Sequence, residues 1–156
     1  MAAVRDLAAG AGVFSSAEVD IAVELVEERI TKGRLSGYEF IFAESGANVV
    51  GYACYGPTPA TEATWDLYWI VVAPAARRLG LGRALLDRTM AAIARRGGTS
   101  IYVDTSSTDV YDSTRAFYRR MGFRKLVELP DFYKPGDNKV IYRRDVHDDS
   151  NQHPQA

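Results

Sequence analysis

The fold is decided by the segment Val71-Val72-Ala73-Pro74-Ala75-Ala76-Arg77-Arg78-Leu79-Gly80-Leu81-Gly82-Arg83-Ala84-Leu85-Leu86. An apolar run ends at a proline, a short turn rich in arginine and glycine follows, and an amphipathic helix begins directly after it. Such a turn can present backbone N–H groups, at the positive end of a helix, to an anion. Glycine would let the anion approach the backbone, because a side chain would hold it away. The alternative is a solvated arginine-rich turn whose glycines serve only the path of the chain.

The composition is that of one ordinary globular domain. The chain has 156 residues, of which 47% are apolar and 25% charged, and its net charge of −1 gives no general attraction to nucleic acid or to a membrane surface. The longest uncharged apolar run, residues 67–76, is too short to span a bilayer. We therefore expect a single domain over residues 1–146, a cytoplasmic location, and neither a nucleic-acid nor a membrane partner. The polar, aperiodic tail 147–156 is expected to be disordered.

Cysteine and histidine offer little chemistry. The single cysteine, Cys54, excludes an internal disulfide and a multi-cysteine metal site. It lies in an apolar run, which favours a buried strand thiol over a catalytic nucleophile. Both histidines, His147 and His153, lie in the tail, and we expect no metal.

The pattern of apolar residues predicts three helices and six strands. A capping box formed by Ser15 and Glu18 begins the first helix, which ends at Gly33. The other predicted helices cover residues 82–96 and 113–121. The predicted strands are residues 38–44, 49–55, 64–72, 100–105, 125–129 and 139–144, with a turn-prone segment at 131–137 before the last one. This order indicates an α/β fold with a mixed sheet flanked by helices, in which the crossover from the third strand to the fourth is parallel and right-handed.

Two motifs carry a resemblance to a known family. Pro74-x-x-Arg77-x-x-Gly80-x-Gly82 resembles the acetyl-CoA signature of the GNAT superfamily of N-acetyltransferases, and Phe117-Tyr118-x-x-x-Gly122-Phe123 resembles the C-terminal motif of that family. The resemblance implies a mixed, mostly antiparallel sheet of six or seven strands whose central parallel strands splay apart to admit the pantetheine arm. Here the splayed pair would be residues 64–72 and 100–105.

The chain departs from the family pattern at two informative places. Many relatives have an asparagine seven residues before the motif tyrosine, where this chain has Tyr111. The family usually opens with a strand, but residues 1–14 are rich in alanine and glycine and have little strand character. We therefore expect that strand to be missing or replaced, which would expose a sheet edge.

The resemblance also implies the cofactor site. The main chain of Ile70, Val71 and Val72 would contact the pantetheine and the acetyl carbonyl, and Phe117 would belong to the same site. The pyrophosphate would be bound by the turn residues Arg77, Arg78, Leu79, Gly80, Leu81, Gly82 and Arg83.

Tyr118 matches the tyrosine that commonly donates a proton to the departing thiolate. A phenol of reference pKa about 10 is protonated at pH 7 and can protonate or hydrogen-bond to a thiolate whose acid has a pKa near 8.5. The alternative is that Tyr118 is one more aromatic residue on an apolar helix face.

The attacking amine must lose a proton, so a base is required. Asp104, on the fourth predicted strand, is the first candidate, because some relatives carry a carboxylate base in that region. Asp66 and Glu62 are its rivals. The alternative for all three is a solvated charge on a strand or loop.

The sequence favours a small amine or amino-acid-like acceptor over a protein. Candidate substrate contacts are Asp66, Tyr68, Asp131 and Tyr133. We therefore expect an N-acetyltransferase that uses acetyl-CoA as cosubstrate, and we leave a homodimer open. A non-catalytic acyl-CoA-binding or sensing module and a peptide N-acetyltransferase are the alternatives. A nucleotide-phosphate enzyme is disfavoured, because the chain lacks a Walker-type lysine.

Overall fold

The computed structural model describes residues 1–147, so the predicted disorder of the tail from residue 148 onward lies outside the described residues. The helices are α1 (Ala2–Gly10), α2 (Ser16–Lys32), α3 (Leu81–Ala94) and α4 (Asp112–Arg120). The strands are β1 (Glu39–Ser45), β2 (Asn48–Pro57), β3 (Thr64–Val72), β4 (Ser100–Ser106), β5 (Arg124–Lys134) and β6 (Asp137–Asp145). They form one six-stranded sheet in the order β1-β2-β3-β4-β6-β5. All neighbours are antiparallel except β3 and β4, which are parallel, and the predicted mixed α/β fold is confirmed.

The sheet is split in its middle. β3 and β4 pair only at Thr64 with Ser100, Trp65 with Ile101, and Asp66 with Tyr102. Both strands continue beyond the third pair, β3 to Val72 and β4 to Ser106. They therefore diverge and leave a gap between them, as the predicted splay requires.

A β-bulge lies at the start of this gap. On β2, Cys54 faces Trp69 and Tyr55 faces Leu67, so Tyr68 has no partner across the ladder. Bulges of this kind re-aim side chains and are frequent next to active sites. Leu67 and Ile70 accordingly pack with one core, and Tyr68 and Trp69 pack with the other.

Two cores cover the two faces of the sheet. One contains residues of α3 and α4, and the other contains residues of α1 and α2. Cys54 is fully buried in the second core, which confirms the predicted strand thiol. Burial also raises the pKa of its thiol.

Helix α1 occupies the N-terminal segment, for which the sequence predicted a missing or replaced strand. Val4, Leu7 and Ala8 are spaced for one helical face and are buried against the second core. The alanine- and glycine-rich sequence of this segment does not predict the helix. β1 is consequently an edge strand.

The predicted turn-prone character of residues 131–137 is wrong for the first part of that segment. β5 continues to Lys134, although its pairing with β6 is irregular between Leu129 and Lys134. Asp131 has a φ of 53° and accepts a hydrogen bond from the N–H of Gly136 at 2.7 Å. Local hydrogen bonding by Asp131 thus bends the strand without ending it.

Within residues 1–147, no helix is long and apolar enough to cross a membrane.

Candidate active site

The turn between β3 and α3 presents backbone donors. Gly80 caps α3 in the left-handed conformation, with a φ of 76°, and no side chain caps the helix. The first hydrogen bond of the helix runs from the N–H of Ala84 to the carbonyl of Gly80 at 3.0 Å. The N–H groups of Leu81, Gly82 and Arg83 precede that bond and have no partner within the helix. They form a positive helix terminus that suits an anion.

The two sequence motifs contact each other at Gly82. A Cβ atom added to Gly82 would lie 3.1 Å from Cε2 of Phe117. Even the smallest side chain here would require the Phe117 ring to shift by a few tenths of an ångström, so Gly82 favours the close approach of α3 and α4 at this point.

The arginines of the turn differ in their contacts. Nη2 of Arg77 donates a hydrogen bond to the carbonyl of Ala11 at 2.8 Å, which ties the turn to the end of α1. A pyrophosphate contact by Arg77 would compete with this bond. Arg78 and Arg83 are exposed beside the open helix terminus.

The β3 wall of the gap contains Ile70, Val71 and Val72. Val71 pairs with Tyr52 and Val72 pairs with Gly51 on the β2 side. Among residues 1–147, no strand pairs with the β4 side of these residues. In an antiparallel pair alternate residues direct their N–H and C=O groups away from the partner strand, so some of these groups point into the gap.

Tyr118 lies under the gap on the α3 and α4 face. It belongs to the core that also contains Leu67 and Val103, the first residues after the last β3–β4 pair. The side chain is 5% exposed, and its hydroxyl makes no hydrogen bond within residues 1–147. Burial raises the pKa of Tyr118, with a smaller electrostatic contribution from Tyr111. The phenol is therefore a neutral donor that has no hydrogen-bond partner in the described part of the chain.

Asp104 lies on the other face of the sheet. Val103 faces the core that holds Tyr118, and side chains alternate along a strand, so Asp104 faces away from that core. Its Oδ2 is 2.5 Å from Nζ of Lys139, which lies 4.7 Å above the ring centre of Phe132. Asp104 is two residues beyond the last β3–β4 pair and thus lies where the gap is open.

The two rival carboxylates lie at the closed end of the gap. Asp66 occupies the last paired position and accepts a hydrogen bond from Oγ1 of Thr58 at 2.8 Å. Glu62 is exposed in the loop before β3. Burial, followed by the charge of Asp66, raises the pKa of Tyr68 to about 12.

Further polar residues gather near Asp104. The hydroxyl of Tyr111 donates a hydrogen bond to Oε1 of Glu18 at 3.3 Å, and burial, followed by the charge and hydrogen bond of Glu18, raises the pKa of Tyr111. The pKa of Tyr133 is raised by burial and then by the charges of Asp104, Asp137 and Glu18. Helix α2, the 3₁₀ turn Asp109–Tyr111 and the β5–β6 hairpin therefore meet on this face.

Two residues of this cluster, Glu18 and Asp137, were not predicted from the sequence as site residues. Glu18 was assigned only to the capping box, which the structure confirms. Asp137 lay in a predicted turn. No local pattern marks either residue, because both reach the site through contacts that join distant parts of the chain.

Comparisons with known proteins agree with this architecture. The family model described as an acetyltransferase (GNAT) domain matches residues 36–125. A candidate GNAT-family acetyltransferase from Desulfovibrio desulfuricans is 46% identical, over 93% of this chain and 91% of that one, with a TM-score of 0.91. No curated protein matches the sequence significantly.

More distant structures share the fold. An aminoglycoside 6'-N-acetyltransferase complexed with coenzyme A is 18% identical, over 93% of this chain and 89% of that one, with a TM-score of 0.72. The ribosomal-protein-S18-alanine N-acetyltransferase from Escherichia coli is also 18% identical, over 93% of this chain and 86% of that one, with a TM-score of 0.72.

Proposed function

The chain belongs to the GNAT family of acetyltransferases, and from this premise we propose that it transfers the acetyl group of acetyl-CoA directly to a primary amine of a small molecule. The observation that carries the proposal is the gap between β3 and β4 together with Tyr118 under it, whose side chain is 5% exposed and whose hydroxyl makes no hydrogen bond within residues 1–147. A thioester in the gap would have a proton donor on one face of the sheet and open space for an amine on the other.

The cofactor would lie along β3 and end at α3. Its pyrophosphate would accept hydrogen bonds from the free N–H groups at the start of α3, and Arg78 and Arg83 would add positive charge. The pantetheine would pair with the main chain of residues 70–72, whose β4 side no strand of the described chain covers. The acetyl carbonyl would then lie near the bulge at Tyr68.

The reaction needs two proton transfers on opposite faces of the sheet. The neutral amine nitrogen attacks the thioester carbon, a C–N bond forms, and the C–S bond then breaks. Tyr118 gives its proton to the departing sulfur, while Asp104, directly or through water, takes the proton that the amine loses. Asp104 forms an ion pair with Lys139, so the arriving proton competes with the ammonium of Lys139 for the carboxylate. Positioning of the amine against the thioester supplies much of the rate, so loss of one base need not abolish activity.

The surroundings of Asp104 support a small acceptor. Glu18 and Tyr111 connect α2 to the turn before α4 at this face, and Tyr133 lies beside them. The acceptor side is thus bordered by three elements, which favours a compact molecule over an extended peptide.

A panel of acceptors tests the proposal. The protein is mixed with acetyl-CoA and small primary amines, amino acids or short peptides, and release of free thiol is measured. We expect turnover with small amines. Tight acetyl-CoA binding without turnover across the panel would indicate a sensing module, and turnover confined to peptides would indicate a peptide acetyltransferase.

A further inference from the structure

We propose that Arg115 is a positioning residue for the transfer reaction. Its guanidinium ties the end of β4 to the start of α4 and thereby holds the hydroxyl of Tyr118 at the gap between β3 and β4. Arg115 acts through Tyr118 and takes no part itself in making or breaking bonds. The inference rests on the proposed function, because it concerns how Tyr118 is placed for proton donation.

The side chain of Arg115 bridges the connection between β4 and α4. Its Nη1 donates hydrogen bonds to the carbonyl oxygens of Ser106 at 2.5 Å and of Thr108 at 2.9 Å. Ser106 is the last residue of β4, and Thr108 precedes the 3₁₀ turn Asp109–Tyr111 that leads into α4. Nη2 contacts the carboxylate of Asp112, the first residue of α4. One guanidinium therefore holds together the end of a strand, the loop after it and the first turn of a helix.

Apolar packing fixes α4 mainly near its end. Tyr118 is the single buried residue among the nine of this helix, and Phe117 beside it packs against the same core. Within the described chain, no side chain caps the start of the helix at Tyr111. Arg115 lies three residues before Tyr118, on the same side of the helix. Arg115 therefore supplies the contacts that set the direction of α4 at its start.

The end of β4 is a fixed point for this tether. β4 pairs with β6 over all seven of its residues, and the last pair joins Ser106 to Lys139. The hydroxyl of Ser106 also donates a hydrogen bond to Oδ1 of Asp137 at 2.5 Å. A guanidinium bound to the carbonyl of Ser106 is thus attached to the β4 wall of the gap and not to a free loop.

The burial of Arg115 indicates that its shape and charge serve more than packing. Its side chain is 11% exposed, whereas that of its partner Asp112 is 69% exposed. Burying a guanidinium costs free energy, and an exposed carboxylate offsets little of that cost, because water screens it. An apolar side chain would pack here without this cost. The planar guanidinium can, however, satisfy two carbonyl groups and a carboxylate at once.

The tether matters because the proposed proton transfer works over a short distance. Donation from a phenol to sulfur requires hydrogen-bond contact, and a misplacement of about 1 Å can cost about 100-fold in rate. The sulfur would lie in the gap, whose β4 wall ends at Ser106, and Tyr118 approaches it from α4. Loss of Arg115 should therefore move the hydroxyl relative to the sulfur while the pyrophosphate contacts at α3 remain.

A double-mutant cycle tests the inference. kcat and KM for acetyl-CoA are measured with the best amine of the acceptor panel for Arg115→Ala, Tyr118→Phe and the double variant. We expect Arg115→Ala to lower kcat about tenfold and to change KM for acetyl-CoA by less than about twofold. With Tyr118→Phe present, the same substitution should lower kcat by less than about twofold, because the positioned hydroxyl is already absent. A tenfold loss in both backgrounds would overturn the inference, since Arg115 would then act independently of Tyr118.

Two further variants are the controls for this cycle. Arg119→Ala removes an exposed arginine from the same helix and should leave kcat unchanged. Arg115→Lys keeps the charge but not the planar fork, so its kcat should lie between those of the parent and Arg115→Ala. Thermal unfolding establishes that each variant is folded at the assay temperature, and Arg115→Lys replaces Arg115→Ala in the cycle if the latter does not fold. Equal kcat values for the Arg115 and Arg119 variants would refute the proposed role.

A spectroscopic measurement separates this inference from the proposed function. Tyrosines are labelled with ¹³C at Cζ, and the Tyr118 signal is identified by its absence in Tyr118→Phe. Coenzyme A, whose thiol would contact the hydroxyl, should shift this signal in the parent and in Arg119→Ala. Arg115→Ala should reduce the shift while calorimetry shows that coenzyme A still binds.

The outcomes of this measurement are distinct. An equal shift in Arg115→Ala, or no shift in a parent protein that binds coenzyme A, would overturn the role of Arg115. Lack of turnover with every amine would count against the proposed function, and the comparison of shifts would still decide whether Arg115 positions Tyr118. Absence of coenzyme A binding would overturn both.

Discussion

Tyr118 combines a tightly packed ring with a hydroxyl that makes no hydrogen bond to any of residues 1–147. Its ring contacts those of Phe117, Phe123 and Tyr142, with centroid separations of 5.5, 5.3 and 6.3 Å. A side chain that served packing alone would be replaceable by phenylalanine without consequence. Packing needs only the ring of Tyr118, whereas the proposed donation of a proton to sulfur needs its hydroxyl.

We predict that Tyr118→Phe lowers kcat by about 100-fold or more, the usual contribution of a general acid, while KM for acetyl-CoA changes little. The melting temperature should be unchanged or slightly higher, because no hydrogen bond is lost. Steady-state kinetics and thermal unfolding check the two parts. An unchanged kcat would leave Tyr118 as a core residue only.

Arg83 tests the cofactor end of the site. Arg83→Ala should weaken acetyl-CoA binding about tenfold, because one charge-assisted contact to the pyrophosphate is lost. Arg88→Ala is the matched control, since Arg88 is exposed on the same helix but lies more than one turn farther along it. Equal dissociation constants for the two variants, measured by calorimetry, would contradict the assignment.

Single residues also show where prediction from sequence reaches its limit. The glycine-rich turn, the motif tyrosine and the capping box at Ser15 could be predicted, because each depends on local spacing. The ion pair of Asp104 with Lys139 could not be predicted, because it depends on which strand lies next to β4. Arg77 shows the same limit, since its partner Ala11 is 66 residues away in the sequence.

At the level of elements, close packing against β2 fixes the position of β3, the strand that would hold the cofactor. A Cβ atom added to Gly51 of β2 would lie 2.9 Å from the carbonyl oxygen of Val71 and 3.3 Å from Cδ1 of Leu85. Because the first of these atoms belongs to the backbone, a larger side chain at position 51 must move β3 or β2.

We predict that Gly51→Ala lowers the free energy of unfolding by about 1–3 kcal/mol, as overpacking does. It should also weaken acetyl-CoA binding, because the displaced residues form the wall of the gap. Gly10→Ala is the control, since a Cβ atom at Gly10 has nothing within 4 Å, and alanine favours the helix. Denaturant unfolding and calorimetry measure the two effects. Unaltered cofactor affinity in a destabilised Gly51→Ala protein would argue against a role for this wall.

Element prediction succeeded where periodicity is strong and failed where tertiary contacts override it. The six strands and the helices α2, α3 and α4 follow from spacing, turn residues and caps. The bulge at Tyr68 could not be predicted, because the amino-acid sequence of β3 does not determine its register against β2. Helix α1 was missed, since an alanine-rich segment gains its stability from packing on the second core.

On the scale of the whole molecule, Glu39 joins the helices of the two faces around the edge of the sheet. Its Oε2 is 2.9 Å from Nη2 of Arg29 in α2, and its Oε1 is 3.0 Å from Nη1 of Arg96, just after α3. The guanidinium of Arg96 also lies 4.6 Å from the ring centre of Trp65. The Glu39 side chain is only 17% exposed, so its contacts are less screened than those of a surface pair.

We predict that Glu39→Ala lowers the free energy of unfolding by about 1–3 kcal/mol, because two arginines lose their shared carboxylate in a partly buried place. Glu44→Ala removes the same charge from an exposed position of the same strand and should change stability by less than about 0.5 kcal/mol. Urea unfolding at low and high salt measures both variants, and the Glu39 effect should persist at high salt more than a surface pair would. Similar losses for the two variants would mean that the edge of the sheet is held by its backbone ladder and apolar contacts, with no special contribution from this bridge between α2 and α3.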